Sequence, residues 1–134
     1  MTQEKQLLLT DLCSRLPCGV KCQFEDTIRV IDGKKDPFFD YVLSARHLDL
    51  FINHKNFYIK PYLRPMSSMA EEEEKEYHNL CYEEESEYYK NGEWTTRIYF
   101  HDTIESIDWL NAHHFDYRGL IEKGLALEAP EDMY

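Results

Sequence analysis

Leu8, Leu9, Leu12, Cys13 and Leu16 recur at the spacing of one helical face, so residues 3–16 read as an amphipathic helix that Pro17 stops. From Cys18 the period changes to two. Cys18, Val20, Cys22 and Phe24 alternate with Lys21 and Gln23, the pattern of a half-buried strand. Glu25-Asp26 is a turn candidate, Thr27 to Ile31 a second strand, and Asp32 to Pro37 a loop. Phe38 to Ala45, His47 to Ile52 and Phe57 to Lys60 read as three more short strands. The polar turn Asn53–Asn56 lies between the last two, and Pro61 closes the series. One helix followed by short strands predicts a small antiparallel sheet, either open or closed as an SH3-like barrel.

Pro61 to Met69 reads as a stiff connector. Ser68 with Glu71 forms a capping-box pattern, and a helix is expected from about Met69 to Glu85 with Tyr77, Leu80 and Cys81 on its apolar stripe. Asn91-Gly92 is a type I′ hairpin signal, followed by alternating Trp94, Thr96, Ile98 and Phe100. Asp102 with Glu105 suggests the cap of a helix running to about His114. Asp116 would cap a last short helix with a Schellman ending at Gly124-Leu125, and Glu128 to Tyr134 would be extended. The expected fold class is therefore α+β: an N-terminal helix, a small sheet, an acidic central helix, a β-hairpin and two C-terminal helices. Residues 1–134 are expected to form a single domain, without internal repeat or flexible linker.

Charge changes the picture. Of the net −11, residues 1–69 contribute +2 and residues 70–134 contribute −13. Glu71, Glu72, Glu73, Glu74, Glu76, Glu83, Glu84, Glu85 and Glu87 face Lys75 alone within that stretch. This argues against direct nucleic-acid binding and for an acidic, solvated or partner-facing surface, with the first glutamates favoured by the helix dipole. No apolar run is long enough to span a membrane, and no leader is expected at the N-terminus, so the cytoplasm is the expected compartment and the four Cys are expected as free thiols.

Candidate chemistry is sparse. Cys18 and Cys22 would stand about 13 Å apart on one strand, too far to share an ion without a bend. His101, His113, His114 and Asp116 have ligand chemistry but no helical H-x3-H pair. The serines sit in no nucleophile frame and the glycines in no phosphate loop. No catalytic residue, cofactor or metal is predicted. A metal-dependent enzyme built on the His/Asp cluster remains an alternative.

The connector is a better candidate. Its prolines lower the entropy lost on binding, and its methionines adapt to partner surfaces. The string IKPYLRPMSSM at 59–69, with DWLNAHHFDYRGLIEKGLAL at 108–127 and LPCGVK at 16–21, resembles a family of small proteins from phages and integrated elements of gut Bacteroidales. The resemblance brings no catalytic residues with it. It implies a non-enzymatic accessory protein that binds a host or phage protein. The connector and the C-terminal helices would carry that binding, with Lys60, Tyr62, Leu63, Arg64, Met66, Met69, Trp109, His113 and Tyr117 as candidate contacts. The alternative is a nucleic-acid mimic, with the nine glutamates occupying a basic site on a host enzyme.

Overall fold

The computed structural model describes residues 2–26 and 38–134. The strand expected at 27–31 and the Asp32–Pro37 loop lie outside the described residues. The chain divides into two compact units, Met1–Met66 with Asn111–Tyr134, and Ser67–Leu110. Its fold is a mixture of helices and strands.

In the first unit, α1 (Gln3–Arg15) starts where the Thr2 hydroxyl accepts from the Lys5 N–H at 3.1 Å. A single 3-10 turn at Leu16–Cys18 follows, and Gly19 at φ +70° redirects the chain into β1 (Lys21–Asp26). Val20, Cys22 and Phe24 are wholly buried, as their alternation predicts. Glu25 and Asp26 continue the strand instead of turning. β2 (Phe38–Val42) is shorter than expected because a helix follows it, α2 (Ala45–Asn53), where a strand was expected at His47–Ile52. Short apolar runs carry both periods. The outcome turns on Ser44, whose N–H donates to His47 Nδ1 at 3.0 Å, and on Leu48 and Phe51 being buried together at helical spacing.

β3 (Phe57–Pro65) corrects the connector expectation. The strand does not stop at Pro61 but runs to Pro65, with Phe57, Ile59, Pro61 and Leu63 turned inward. Proline is tolerated there because ladders change over beside it. β1 pairs with β3 antiparallel as far as Cys22↔Pro61. Beyond it β7 (Leu127–Glu128) pairs in parallel at Tyr62–Leu63, and β6 (Phe115–Asp116) at Arg64–Pro65. Among the described residues the order β2-β1-β3-β6 is an open path, mixed rather than purely antiparallel.

One core joins Leu8 and Leu12 of α1, Phe24, Phe51 of α2, Phe57, Ile59, Leu63 and Leu120. Each such side chain contributes about 1.5–3 kcal/mol by burial. The last predicted helix is absent among the described residues. Residues 117–126 form turns, because both Asp116 carboxylate oxygens accept from Leu120 and Ile121 N–H groups at 2.9 Å. The Schellman ending is present without the helix: Leu125 N–H reaches Leu120 O at 2.9 Å, and Gly124 has φ +72°. The tail is not simply extended, for Tyr134 returns to the sheet. Its hydroxyl accepts from Lys21 N–H at 2.9 Å and donates to Tyr62 O at 2.8 Å, and its ring stacks on His114 at 3.7 Å.

The second unit holds a 3-10 turn (Met66–Ser68) at its boundary, α3 (Glu71–Leu80), β4 (Tyr82–Lys90), β5 (Glu93–His101) and most of α4 (Ile104–Ala112). Two caps shift from their predicted places. α3 begins after Ala70, whose N–H donates to Glu73 Oε1 at 3.1 Å. α4 begins after Thr103, which exchanges hydrogen bonds with Ser106 at 3.1 and 2.7 Å. α3 also ends five residues earlier than expected, at Leu80, where the Thr103 hydroxyl donates to the Leu80 carbonyl at 2.6 Å. Among the described residues no helix is long and apolar enough to cross a membrane.

Candidate partner-binding surface

The second unit carries 13 Asp/Glu against 3 Lys/Arg, a net −10, leaving −1 for the first. Its dominant feature is the two-stranded ribbon β4–β5. Asn91 and Gly92 have φ of 54° and 84°, the two positive values of a type I′ turn, whose twist matches the flanking strands. That turn sets Lys90 opposite Glu93 and, as the ninth pair, Tyr82 opposite His101. The expected helix beyond Leu80 gives way because β5 needs a partner, and Tyr82, Tyr88 and Tyr89 suit a strand better than a helix.

Opposed residues share a face and successive pairs alternate between faces. One face carries Tyr82, His101, Glu84, Tyr99, Ser86, Arg97, Tyr88 and Thr95. Its polar groups engage one another. His101 Nε2 is 2.7 Å from Glu84 Oε2, and Arg97 donates to the Tyr99 hydroxyl at 3.3 Å with its guanidinium 5.5 Å from the Tyr88 ring centre. The hydroxyl of Tyr99 raises the pKa of Arg97, which stays a cation.

The other face is built differently. β5 supplies a row of Trp94, Thr96, Ile98 and Phe100, apolar except at Thr96, and β4 supplies an acidic row, Glu83, Glu85 and Glu87. Tyr89 meets Trp94 edge to face at 5.5 Å, yet Trp94 remains 73% exposed. Phe100 is held at the base by the imidazole of His78, stacked 3.8 Å away. Among the described residues neither strand pairs with a third, so both edges are open. Four glutamates guard the β4 edge, whereas β5 presents Thr95, Thr96, Arg97 and Ile98. A lone ribbon of this kind is marginal in water.

Beneath it, Tyr77 of α3 stacks on Trp109 at 5.8 Å and donates to the Asp102 carboxylate. Burial, then that carboxylate, pushes the Tyr77 phenol well above its usual range, so it stays a donor. Glu71, Glu72, Glu74 and Glu76 are exposed on α3, with Lys75 3.7 Å from Glu71, an exposed pair worth little. The nine glutamates thus do not form one helical surface. Five lie on α3, three in the row on β4, and Glu84 on the ribbon's other face.

The connector residues are mostly engaged inside the first unit. Leu63 is wholly buried. Tyr62 donates to Asp40 at 2.9 Å. Arg64 lies 4.1 Å over the Phe115 ring, and its backbone N–H reaches His114 O at 2.8 Å. Tyr117 lies between the guanidiniums of Arg15 and Arg118, 5.1 and 5.0 Å from its ring centre, and donates to Asn111 at 2.9 Å. Lys60 and Met66 are exposed, and Met69 and His113 are half-buried. Met69 and Trp109 belong to the second unit, and Trp109 is buried. These nine residues are therefore not shown as one surface. Sequence reasoning missed the better patch. Trp94, Ile98 and Phe100 were visible as an alternating row, but such a row is usually read as facing a core.

The alternative metal set fares similarly. His101 is engaged by Glu84, and Asp116 by two backbone N–H groups. Among the described residues no group of three or more His, Cys, Asp or Glu is placed to hold a metal ion. Comparison with protein-family models, curated proteins and solved structures returns no match.

Proposed function

We propose that the chain is a non-enzymatic phage-type accessory protein that binds another protein, and that the β4–β5 ribbon is the contact surface. The observation that carries this reading is the solvent-exposed row Trp94, Ile98 and Phe100 beside Glu83, Glu85 and Glu87. Exposed aromatics of this density mark interaction sites, and Trp and Tyr dominate binding energy when a partner covers them. The acidic row selects a basic partner and speeds encounter. The open β5 edge offers backbone groups to an added strand. The family resemblance agrees in kind, and the four free thiols suit the cytoplasm of a bacterial host.

A second reading, imitation of a nucleic-acid backbone, is favoured by one feature. Glu83, Glu85 and Glu87 recur at every second residue of a strand, a regular row of charges about 6.6 Å apart.

Affinity capture from host lysate tests both. Wild type is compared with Trp94→Thr/Ile98→Thr and with Glu83→Gln/Glu85→Gln/Glu87→Gln, all checked for fold by circular dichroism. A partner lost with the first variant supports ribbon binding. A partner lost only with the second, and released by salt, supports mimicry. A partner kept by both, or none captured by wild type, overturns the assignment to the ribbon.

A further inference from the structure

A cleft of about 300 Å³ opens in the first unit, and of the candidate contact residues named above it is lined by Lys60 alone. Its apolar wall is the outer side of the core: Leu8 of α1, Phe51 of α2, Phe57 and Ile59 of β3, and Leu125. Tyr58 also lines it and is half exposed. Three elements deliver cations to the same cleft. Lys5 comes from α1, Lys55 from the turn after α2, and Lys60 from the outward side of β3, against Glu4 as the one carboxylate among the described lining residues. The Lys5 ammonium is held over the Phe51 ring, 4.7 Å from its centre, so positive charge sits directly against the apolar wall.

This is an unusual place for lysines in a chain of net charge −11. Three like charges around one opening repel each other, and Glu4 offsets only part of that. An anion at the mouth relieves the rest, and an apolar body below it covers the part-exposed Leu125, the Tyr58 ring and the lysine stems that rim the cleft. The volume is at the small end of ligand sites, which suits a chain of medium length better than a long acyl chain or a folded peptide.

We propose that this cleft binds a small amphiphilic carboxylate, its chain against Leu8, Phe51, Ile59 and Leu125 and its head among Lys5, Lys55 and Lys60. The site shares no residue with the ribbon, and its test does not depend on the ribbon reading.

The probes are decanoate, decan-1-ol and decyltrimethylammonium, which share a chain and differ in head charge. Binding is followed by titration calorimetry and by the rise in melting temperature. Decanoate is expected to bind about tenfold more tightly than the alcohol, and the cation more weakly than either. Lys5→Gln/Lys55→Gln/Lys60→Gln is expected to remove about that tenfold advantage while leaving the alcohol unchanged. Leu125→Phe, which narrows the cleft, weakens both. Trp94→Thr/Ile98→Thr leaves all three affinities as they were. Equal affinity for the three head groups, decanoate binding indifferent to the lysine and Leu125 changes, or no binding of decanoate at all would each overturn the proposal.

Discussion

Arg15 donates from Nε to Asp11 Oδ2 at 2.8 Å, one helical turn away, with both side chains wholly buried. The same Asp11 accepts from Arg118 Nε at 3.1 Å, and Arg15 donates from a terminal nitrogen to Phe115 O at 2.7 Å. A buried ion pair thus ties α1 to the segment that forms β6. Desolvation takes back much of what such a pair gains, but breaking it leaves a charge in the core.

Asp11→Ala is accordingly expected to destabilise the protein by about 3–5 kcal/mol in urea unfolding. Replacing both partners, Asp11→Leu with Arg15→Met, should recover most of that loss. A single variant costing under about 1 kcal/mol would show that the pair is not desolvated as described.

The pH dependence of stability should carry the mark of His114. Burial first, then the positive charges of Arg15, His113, Arg64 and Lys21, lower its pKa from 6.5 to about 4. A base with a lowered folded pKa stabilises the fold above its unfolded pKa, and that stability is lost as pH falls. Between pH 6.5 and 4 the unfolded chain takes up a proton that the native chain refuses, a loss of roughly 2–3 kcal/mol. His47, also lowered by burial, acts in the same direction. His114 has φ 64°, a conformation asparagine tolerates. His114→Asn should therefore keep the backbone, lose the stack on Tyr134 and flatten this part of the profile. Urea midpoints at pH 6.5 and 4.5 check it, and an unchanged slope in the variant counts against the assignment.

Gly92 tests the ribbon. Its φ of 84° disfavours any L side chain, while an added Cβ would meet only the Tyr89 hydroxyl at 3.9 Å. Gly92→Ala should cost about 1 kcal/mol from backbone conformation rather than from a clash. Because the ribbon has no third strand among the described residues, that cost should appear locally, as weakened cross-strand NOEs between β4 and β5, with the first unit's spectrum unchanged. Intact cross-strand NOEs would mean that something else holds the ribbon.

Thiol reactivity should separate Cys13 from Cys22. Burial, then the nearby Asp11 carboxylate, pushes the Cys22 thiol up to about 12, whereas Cys13 is exposed. With Ellman's reagent at pH 8, Cys13 should react at once and Cys22 only on unfolding. Equal rates would reveal opening of β1 in the native state.

Local pattern carried α1, the buried row Val20, Cys22 and Phe24, and the Asn91-Gly92 hairpin, because each depends on residues a few positions apart. The same local signals failed at α2 and at the end of α3. At α2 the Ser44–His47 cap decided between two periods, and at Leu80 a strand partner nine pairs long outweighed the helix propensity of glutamate. The candidate site divided in the same way. The glutamates and the Trp94–Phe100 row were legible as residue types, but not the fact that solvent covers the row.

Composition and spacing thus determined the acidic excess, the lack of a recognisable catalytic motif and the positions of the strongest turns. Only the tertiary structure decided that the connector is a strand beside the core, that the acidic run splits between helix and ribbon, and that Lys5 lines one cleft with the sequence-distant Lys55 and Lys60. Burial, register and the meeting of side chains from separate elements are properties of the folded chain, and no local window contains them.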